Sequence, residues 1–244
     1  MFIYFLIGIF AGFMSGMFGI GGGSVRIPLL TVAGLPLLTA YGINLFVIPF
    51  SSLVGAISHR KNIEFKLSIY MVIGGIAGSI TGAYLVGFIP TLILAIIFLI
   101  ITILTVSGIY LHRIAPSFTK KLKATSNKVL FGAFLINLIT GMRGGSGGSL
   151  FPAFLRALNI DIHKSIATSL FVTIFTALSA CFIYWHRGDI KWLPAVSVLA
   201  GSMIGAFLGS KVALKSKPVW LESGLSVLVV TLALLIVYKS IIHH

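Results

Sequence analysis

Apolar residues run along this chain in blocks of about twenty or more, separated by short polar gaps. A helix needs about 20 mostly apolar residues to cross a bilayer. By that measure the blocks fall at 2–36, 39–58, 66–87, 90–111, 127–158, 164–185, 192–211 and 219–242. Six of them have the length of one crossing, whereas the first and fifth are too long and are interrupted by glycines. The first interruption reads Gly16-Met-Phe-Gly-Ile-Gly-Gly-Gly-Ser24 with Pro28 just beyond, the second Gly141-Met-Arg-Gly-Gly-Ser-Gly-Gly-Ser149 with Pro152. Glycine costs about 1 kcal/mol per helical position relative to alanine, and proline is at home in the first turn of a new helix. Each long block therefore predicts helix, break, helix.

The two breaks are copies of one another. Gly16, Met17, Gly19, Gly22, Gly23 and Ser24 recur 125 positions later as Gly141, Met142, Gly144, Gly147, Gly148 and Ser149. Leu45-Phe46-Val47 recurs as Leu170-Phe171-Val172 at the same spacing. His59-Arg60 and Ile63 return as His186-Arg187 and Ile190, and the Gly78-Ser79 to Leu85 stretch as Gly201-Ser202 to Leu208. The chain is read as a tandem duplication: a first membrane repeat at 1–112, a basic linker at 113–125 and a second repeat at 126–244.

Charge placement bears on how the repeats are oriented. If all eight blocks cross, the 18 Lys and Arg divide 11 to 5 between the faces, with Arg26 and Arg143 within the membrane. If the first and fifth blocks are re-entrant hairpins, Arg187, Lys191 and Lys239 oppose the other 13. Basic residues favour the cytoplasmic side of short loops, so the sharper division is preferred. It makes the second repeat inverted relative to the first and puts both termini outside a cytoplasmic membrane. The start lacks the basic n-region of a secretory signal, since nothing basic precedes Arg26, so 1–18 reads as a retained membrane helix.

Composition agrees with this layout and removes other classes. Hydrophobic residues make up 58% of the chain and charged ones only 9%, against about 25% charged in soluble domains. A net charge of +14 would otherwise suggest nucleic acid. Here the basic residues sit in the gaps between spans, where Lys120 to Lys128 would meet anionic lipid. Trp185, Trp192 and Trp220 near block ends read as interfacial anchors. The lone Cys181 makes no intrachain disulfide. No cofactor, metal site or nucleic-acid partner is expected.

The chemistry is expected at the breaks. Non-helical backbone at membrane depth must be buried in protein or line a cavity, and a helix starting there presents unpaired N–H groups and partial positive charge. Inverted repeats with such broken helices form transporter sites near the midplane. The candidate site is Gly21, Gly22, Gly23, Ser24 and Arg26 from the first break, and Arg143, Gly144, Gly145, Ser146, Gly147, Gly148 and Ser149 from the second. Ser24 and Ser149 are candidate N-caps or hydroxyl donors. Asn44 and Ser169, which align with each other, are further candidates. The acidic residues Glu64, Asp161, Asp189 and Glu222 all lie at loops or block ends, so two intramembrane arginines favour a small anion from outside. The alternative for both arginines is to snorkel to the interface. With acids and histidines alike flanking the blocks, no carboxylate relay for protons is expected.

With its downstream landmarks, the run GMFGIGGGSVRIP resembles the sulfite exporter TauE/SafE family of membrane permeases. The resemblance covers nearly the whole chain, and the duplicated glycine motif and GS-x-x-GA-x-L pairs carry it. It implies transport of sulfite, sulfonates or related sulfur-containing or organic anions, and no enzyme activity. The second break departs from the pattern, with Gly147-Gly148 in place of a triplet and Pro152 one residue early. Two other readings compete. Gly144-Gly145-Ser146-Gly147 spells the G-x-S-G of an intramembrane serine protease, with Ser146 as nucleophile and His163 or His186 as base, although Ser146 aligns with Gly21. A scaffold is the other, since membrane glycines also serve close packing; packing is the expected role of Gly74, Gly75, Gly78, Gly82, Gly201, Gly205 and Gly209.

Overall fold

The structure, a computed structural model, describes residues 1–86 and 125–242 and scattered positions from 88 to 107. Most of the block expected at 90–111, and most of the basic linker at 113–125, lie outside the described residues. What is described is helical. The first half of the chain supplies α1 (Phe2–Phe18), α2 (Gly23–Val32), α3 (Leu37–Ser58) and α4 (Phe65–Tyr84). The second supplies α5 (Ser126–Gly141), α6 (Phe151–Ala157), α7 (Ile162–His186), α8 (Trp192–Lys215) and α9 (Pro218–Ile242). Helices α3, α4, α7 and α8 are each long and apolar enough to cross a membrane. Both oversized blocks are broken at their glycines.

Helices of the two halves are interleaved. α1 packs along α8 and α5 along α4, so the first helix of each repeat finds its main neighbour in the other. α3 packs on α7 at the centre, and each of these also touches a long helix of the other half, α3 on α8 and α7 on α4. Exchanging α1 with α5, α3 with α7 and α4 with α8 maps this set of pairings onto itself. Contact order gives directions. Gly8, Gly12 and Gly16 meet Val198, Ser202 and Ala206 in turn, so α1 and α8 run parallel. Gly74, Gly78 and Gly82 meet Leu130, Phe134 and Leu138 in the same sense, so α4 and α5 are parallel too. α3 and α7 run antiparallel, with Gly42 against Asp189 and Gly55 against Leu170.

The glycine stripes make these seams. A methyl on Gly201, Gly205 or Gly209 would overlap a backbone carbonyl oxygen of α1, from Phe5, Ile9 and Phe13 respectively. Helix backbones this close exchange dispersion and weak Cα–H···O contacts in place of a hydrophobic driving force that lipid cannot supply. The packing role expected of these glycines is what the seams display. Gly75 differs slightly, facing Thr176 and Asn137. Large apolar side chains such as Phe2, Phe10, Ile69, Phe182 and Leu193 remain exposed on the outer faces, a surface for lipid.

Ion pairs lie near helix ends. Glu222, 2% exposed, accepts from Arg156 Nε at 2.6 Å and ties α9 to α6. Lys164 Nζ reaches Glu64 at 2.5 Å, while the Glu64 amide donates to Thr168 Oγ1. His59, just past α3, flanks its block as expected yet is buried. Burial holds its imidazole at a pKa of about 4, below the usual histidine value, against the opposing pull of the Gly16 carbonyl.

Candidate functional site

α1 ends where glycine permits it to end. Gly19 adopts φ 70° and its N–H closes on the Ser15 carbonyl at 2.8 Å; Gly21 and Gly22, at φ 69° and 73°, turn the chain back. Gly22 thereby returns beside Ala11 and Ser15, and α2 retraces α1. In the second break Gly144 takes φ 63°, the Gly145 amide donates to the Thr140 carbonyl at 2.9 Å, and a 3-10 turn at Gly147–Ser149 leads into α6.

The two breaks touch. A methyl on Gly148 would stand 3.3 Å from the Gly21 amide nitrogen, and one on Gly21 3.5 Å from Ser146 Oγ. Between them lies a cavity of about 40 Å³, room for roughly three water-sized spheres. Gly23 and Ser24 line it from the first break, and Arg143, Gly145, Ser146 and Ser149 from the second. Ile20, Ile27, Pro28, Ile48 and Thr140 complete the wall. Among the described residues no acidic or histidine side chain is on it, and the Ser146 hydroxyl, 3% exposed, has no hydrogen-bond partner. Arg143 is within electrostatic range of the Tyr41 hydroxyl, and the Tyr41 ring meets Tyr184 edge-on at 6.4 Å.

The other candidates stand behind the wall. Asn44 Nδ2 donates to the Gly144 carbonyl at 2.9 Å, and Ser169 Oγ to the Gly19 carbonyl at 2.6 Å. Both donors and both acceptors are related by the 125-residue spacing, so each repeat's central helix secures the other repeat's break. Gly147 donates its amide to Asn137 Oδ1 at 2.8 Å, an acceptor that also takes the Ser79 hydroxyl at 3.0 Å. That N–H is committed to protein and does not face the cavity. Gly21 and Gly148 pack against Thr173, and Gly22 caps α2.

Arg26 departs from both roles considered for it. It is fully buried and does not snorkel, yet it is not on the cavity wall. Its Nη1 donates to Asn44 Oδ1 at 2.7 Å and its Nη2 to Ser202 Oγ at 3.1 Å, while Ser202 donates to the Gly8 carbonyl at 3.1 Å. The guanidinium thus pins α2 to α3 and α8. Neither serine is an N-cap: α2 starts from Gly22, α6 from Leu150, and the Ser149 hydroxyl donates to the Ser146 carbonyl at 3.3 Å. Thr140, for which lining the pathway and back-bonding to a carbonyl one turn earlier are equal expectations, does both: it is on the wall and its hydroxyl donates to the Ile136 carbonyl at 2.8 Å. Ile48, which sequence reasoning missed, comes from a face of α3 that the glycine motifs do not mark.

Comparison with known proteins adds the family. The model of the sulfite exporter TauE/SafE family matches residues 4–236. Among curated relatives, the probable membrane transporter protein YdhB of Bacillus subtilis is 32% identical, covering 86% of this chain and 87% of its own. YunE of the same organism is 24% identical over 98% of both chains, and YfcA of Escherichia coli 24% identical over 87% of this chain and 80% of its own. Both carry the same description. No solved structure matches.

Proposed function

We propose that this chain, which belongs to the sulfite exporter TauE/SafE family and is a multi-pass membrane transporter, carries a small sulfur-containing or organic anion across the cytoplasmic membrane. The observation that carries this reading is the cavity shared by the two breaks. It brings together one guanidinium, Arg143, and the side chains of Ser24, Ser146 and Ser149, and among the described residues none on the wall is acidic. A monovalent oxoanion held roughly 5 Å from the guanidinium gains about 3 kcal/mol at an effective dielectric of 20. The hydroxyls of Ser24 and Ser146 and the amides of Gly23 and Ser24, which open α2 ahead of its first intrahelical bonds, suit its oxygens. The site is Arg143 with Ser24, Ser146, Ser149 and Gly23; Arg26, Asn44 and Ser169 act by holding the breaks.

The topology belongs to the same proposal: two inverted repeats at 1–112 and 126–244 joined by the 113–125 linker, with both termini outside. Antiparallel packing of the equivalent helices α3 and α7 supports inversion, and the retraced path of α2 supports a hairpin in place of a full crossing.

The test is flux in proteoliposomes. The parent is expected to move sulfite or a small sulfonate, and Arg143→Ala to raise the half-saturating concentration at least tenfold while melting like the parent. No anion flux by the parent, or unchanged kinetics in Arg143→Ala, overturns the proposal.

A further inference from the structure

The cavity is lopsided with respect to the duplication. Ser24 and Ser149, which are equivalent, both line it. The other wall residues of the second break lack wall counterparts with one exception. The 125-residue spacing turns Thr140, Arg143, Gly145 and Ser146 into Ser15, Phe18, Ile20 and Gly21, and turns Ile48 of α3 into Thr173 of α7. Of these counterparts only Ile20 is on the wall. The cavity lies toward the end of the molecule where Gly144 meets Tyr41. Its counterpart would open at the opposite end, where Gly19 meets Ile166 near the start of α7.

On that side two hydroxyls are stranded. Ser15 and Thr173 are both fully buried, and among the described residues neither side-chain oxygen has a hydrogen-bond partner. Thr173 is wedged between the breaks: a methyl on Gly21 would meet its Cγ2 at 3.2 Å, and one on Gly148 its Oγ1 at 2.6 Å. Ser15 Cβ stands 3.3 Å from where a side chain on Gly22 would begin. A buried hydroxyl without a partner is unfavourable, and a pure packing role would be served by Ala and Val at these positions. Transporters built on two repeats alternate access by rocking one bundle against the other around a fixed midplane site. The two glycine-tight seams, α1 with α8 and α4 with α5, define two such bundles.

We infer that Ser15 and Thr173 form the hydroxyl lining of a second opening, on the face opposite the Tyr41 end, that replaces the present cavity in the other half of the transport cycle. The inference rests on the transporter reading above. The second opening has Phe18 where the first has Arg143, so an anion is held there by hydroxyls and amides alone and leaves more readily to that side.

The experiment places single cysteines at Ser15, Thr173 and Thr140 in a Cys181→Ser background and labels them with a membrane-impermeant maleimide in right-side-out and inside-out vesicles. Thr140→Cys is expected to react from one face, and Ser15→Cys and Thr173→Cys at least tenfold faster from the other. No labelling of positions 15 and 173 from either face in variants that retain sulfite flux, or labelling from the same face as Thr140→Cys, overturns the inference. If those cysteine variants fail to accumulate, Ser15→Ala and Thr173→Val decide it. They delete stranded hydroxyls, so each should melt no lower than the parent yet carry at least tenfold less flux; parental flux in both overturns the inference. A parent without any flux strikes the transport reading instead.

Discussion

Replacing Gly205 by alanine puts one methyl into the seam between α8 and α1. The new carbon would overlap the Ile9 carbonyl oxygen and stand 2.7 Å from the Phe13 amide nitrogen and 2.9 Å from the Ile9 carbonyl carbon. Comfortable non-bonded separations are about 3.5–4.0 Å, so α1 must retreat by about 1 Å. The obstructing atoms are backbone, and no rotamer change relieves them. Retreat also opens the contacts at Gly201 and Gly209 on α8 and at Gly8, Gly12 and Gly16 on α1. Overpacking of this kind costs about 1–3 kcal/mol; the loss of neighbouring contacts puts Gly205→Ala near the upper end, about 2–3 kcal/mol. For a chain of this size that is a fall in melting temperature of about 4–12 °C, read by thermal unfolding in detergent. Gly224→Ala is the control, because among the described residues its methyl meets only ring carbons at the end of the Phe18 side chain, at 3.0 Å, and should melt within about 2 °C of the parent. A Gly205→Ala protein that melts like the parent but has lost flux would refute the packing argument and move this glycine into the transport pathway.

Asn44→Ala leaves Arg26 with a lost acceptor and the Gly144 carbonyl with a lost donor; hydrogen bonds to charged groups are worth about 1.5–3 kcal/mol and neutral ones about 1. It should therefore destabilise the protein clearly more than Ser169→Ala, which removes one neutral bond, and equal melting temperatures for the two would show that the Arg26 contact contributes little. Because His59 titrates at about 4 when folded but near 6.5 when unfolded, the unfolded chain takes up the proton first as pH falls. The stabilising contribution of this neutral ring is complete above pH 6.5 and declines between about pH 6.5 and 4, by about 3 kcal/mol at most. His59→Gln should flatten that part of the melting-temperature profile, and an unchanged slope would assign it elsewhere.

The described apolar blocks and the two breaks were legible because lipid imposes long apolar runs and because glycine tolerates the turns at Gly19, Gly21, Gly22 and Gly144. That both breaks face one cavity follows from the same pattern. The partner of a small-residue stripe was not legible. Gly201, Gly205 and Gly209 mark a face of α8, but nothing local says that α1, at the far end of the chain, lies against it. Arg26 shows the same limit. Its fate depends on Ser202, 176 positions away, and on Asn44, and sequence spacing announces neither. In the second repeat Phe151 stands at the equivalent position, and Asn137 secures the turn at Gly147. Two copies of one motif have thus been stabilised by different side chains, and similarity alone hides the substitution.

The seam between α1 and α8 also sets a schedule for biogenesis. The Ser202 hydroxyl that meets the Gly8 carbonyl is 194 residues away from it. At about 5–20 residues per second, α1 leaves the ribosome roughly 10–40 s before its main neighbour exists. For that interval a glycine-faced helix waits in the membrane with its contact surface bare, and a nascent chain stalled before α8 would offer that surface to any helix nearby. Truncated chains should consequently be taken up by insertion chaperones or degraded, and separately expressed halves should accumulate only when made together.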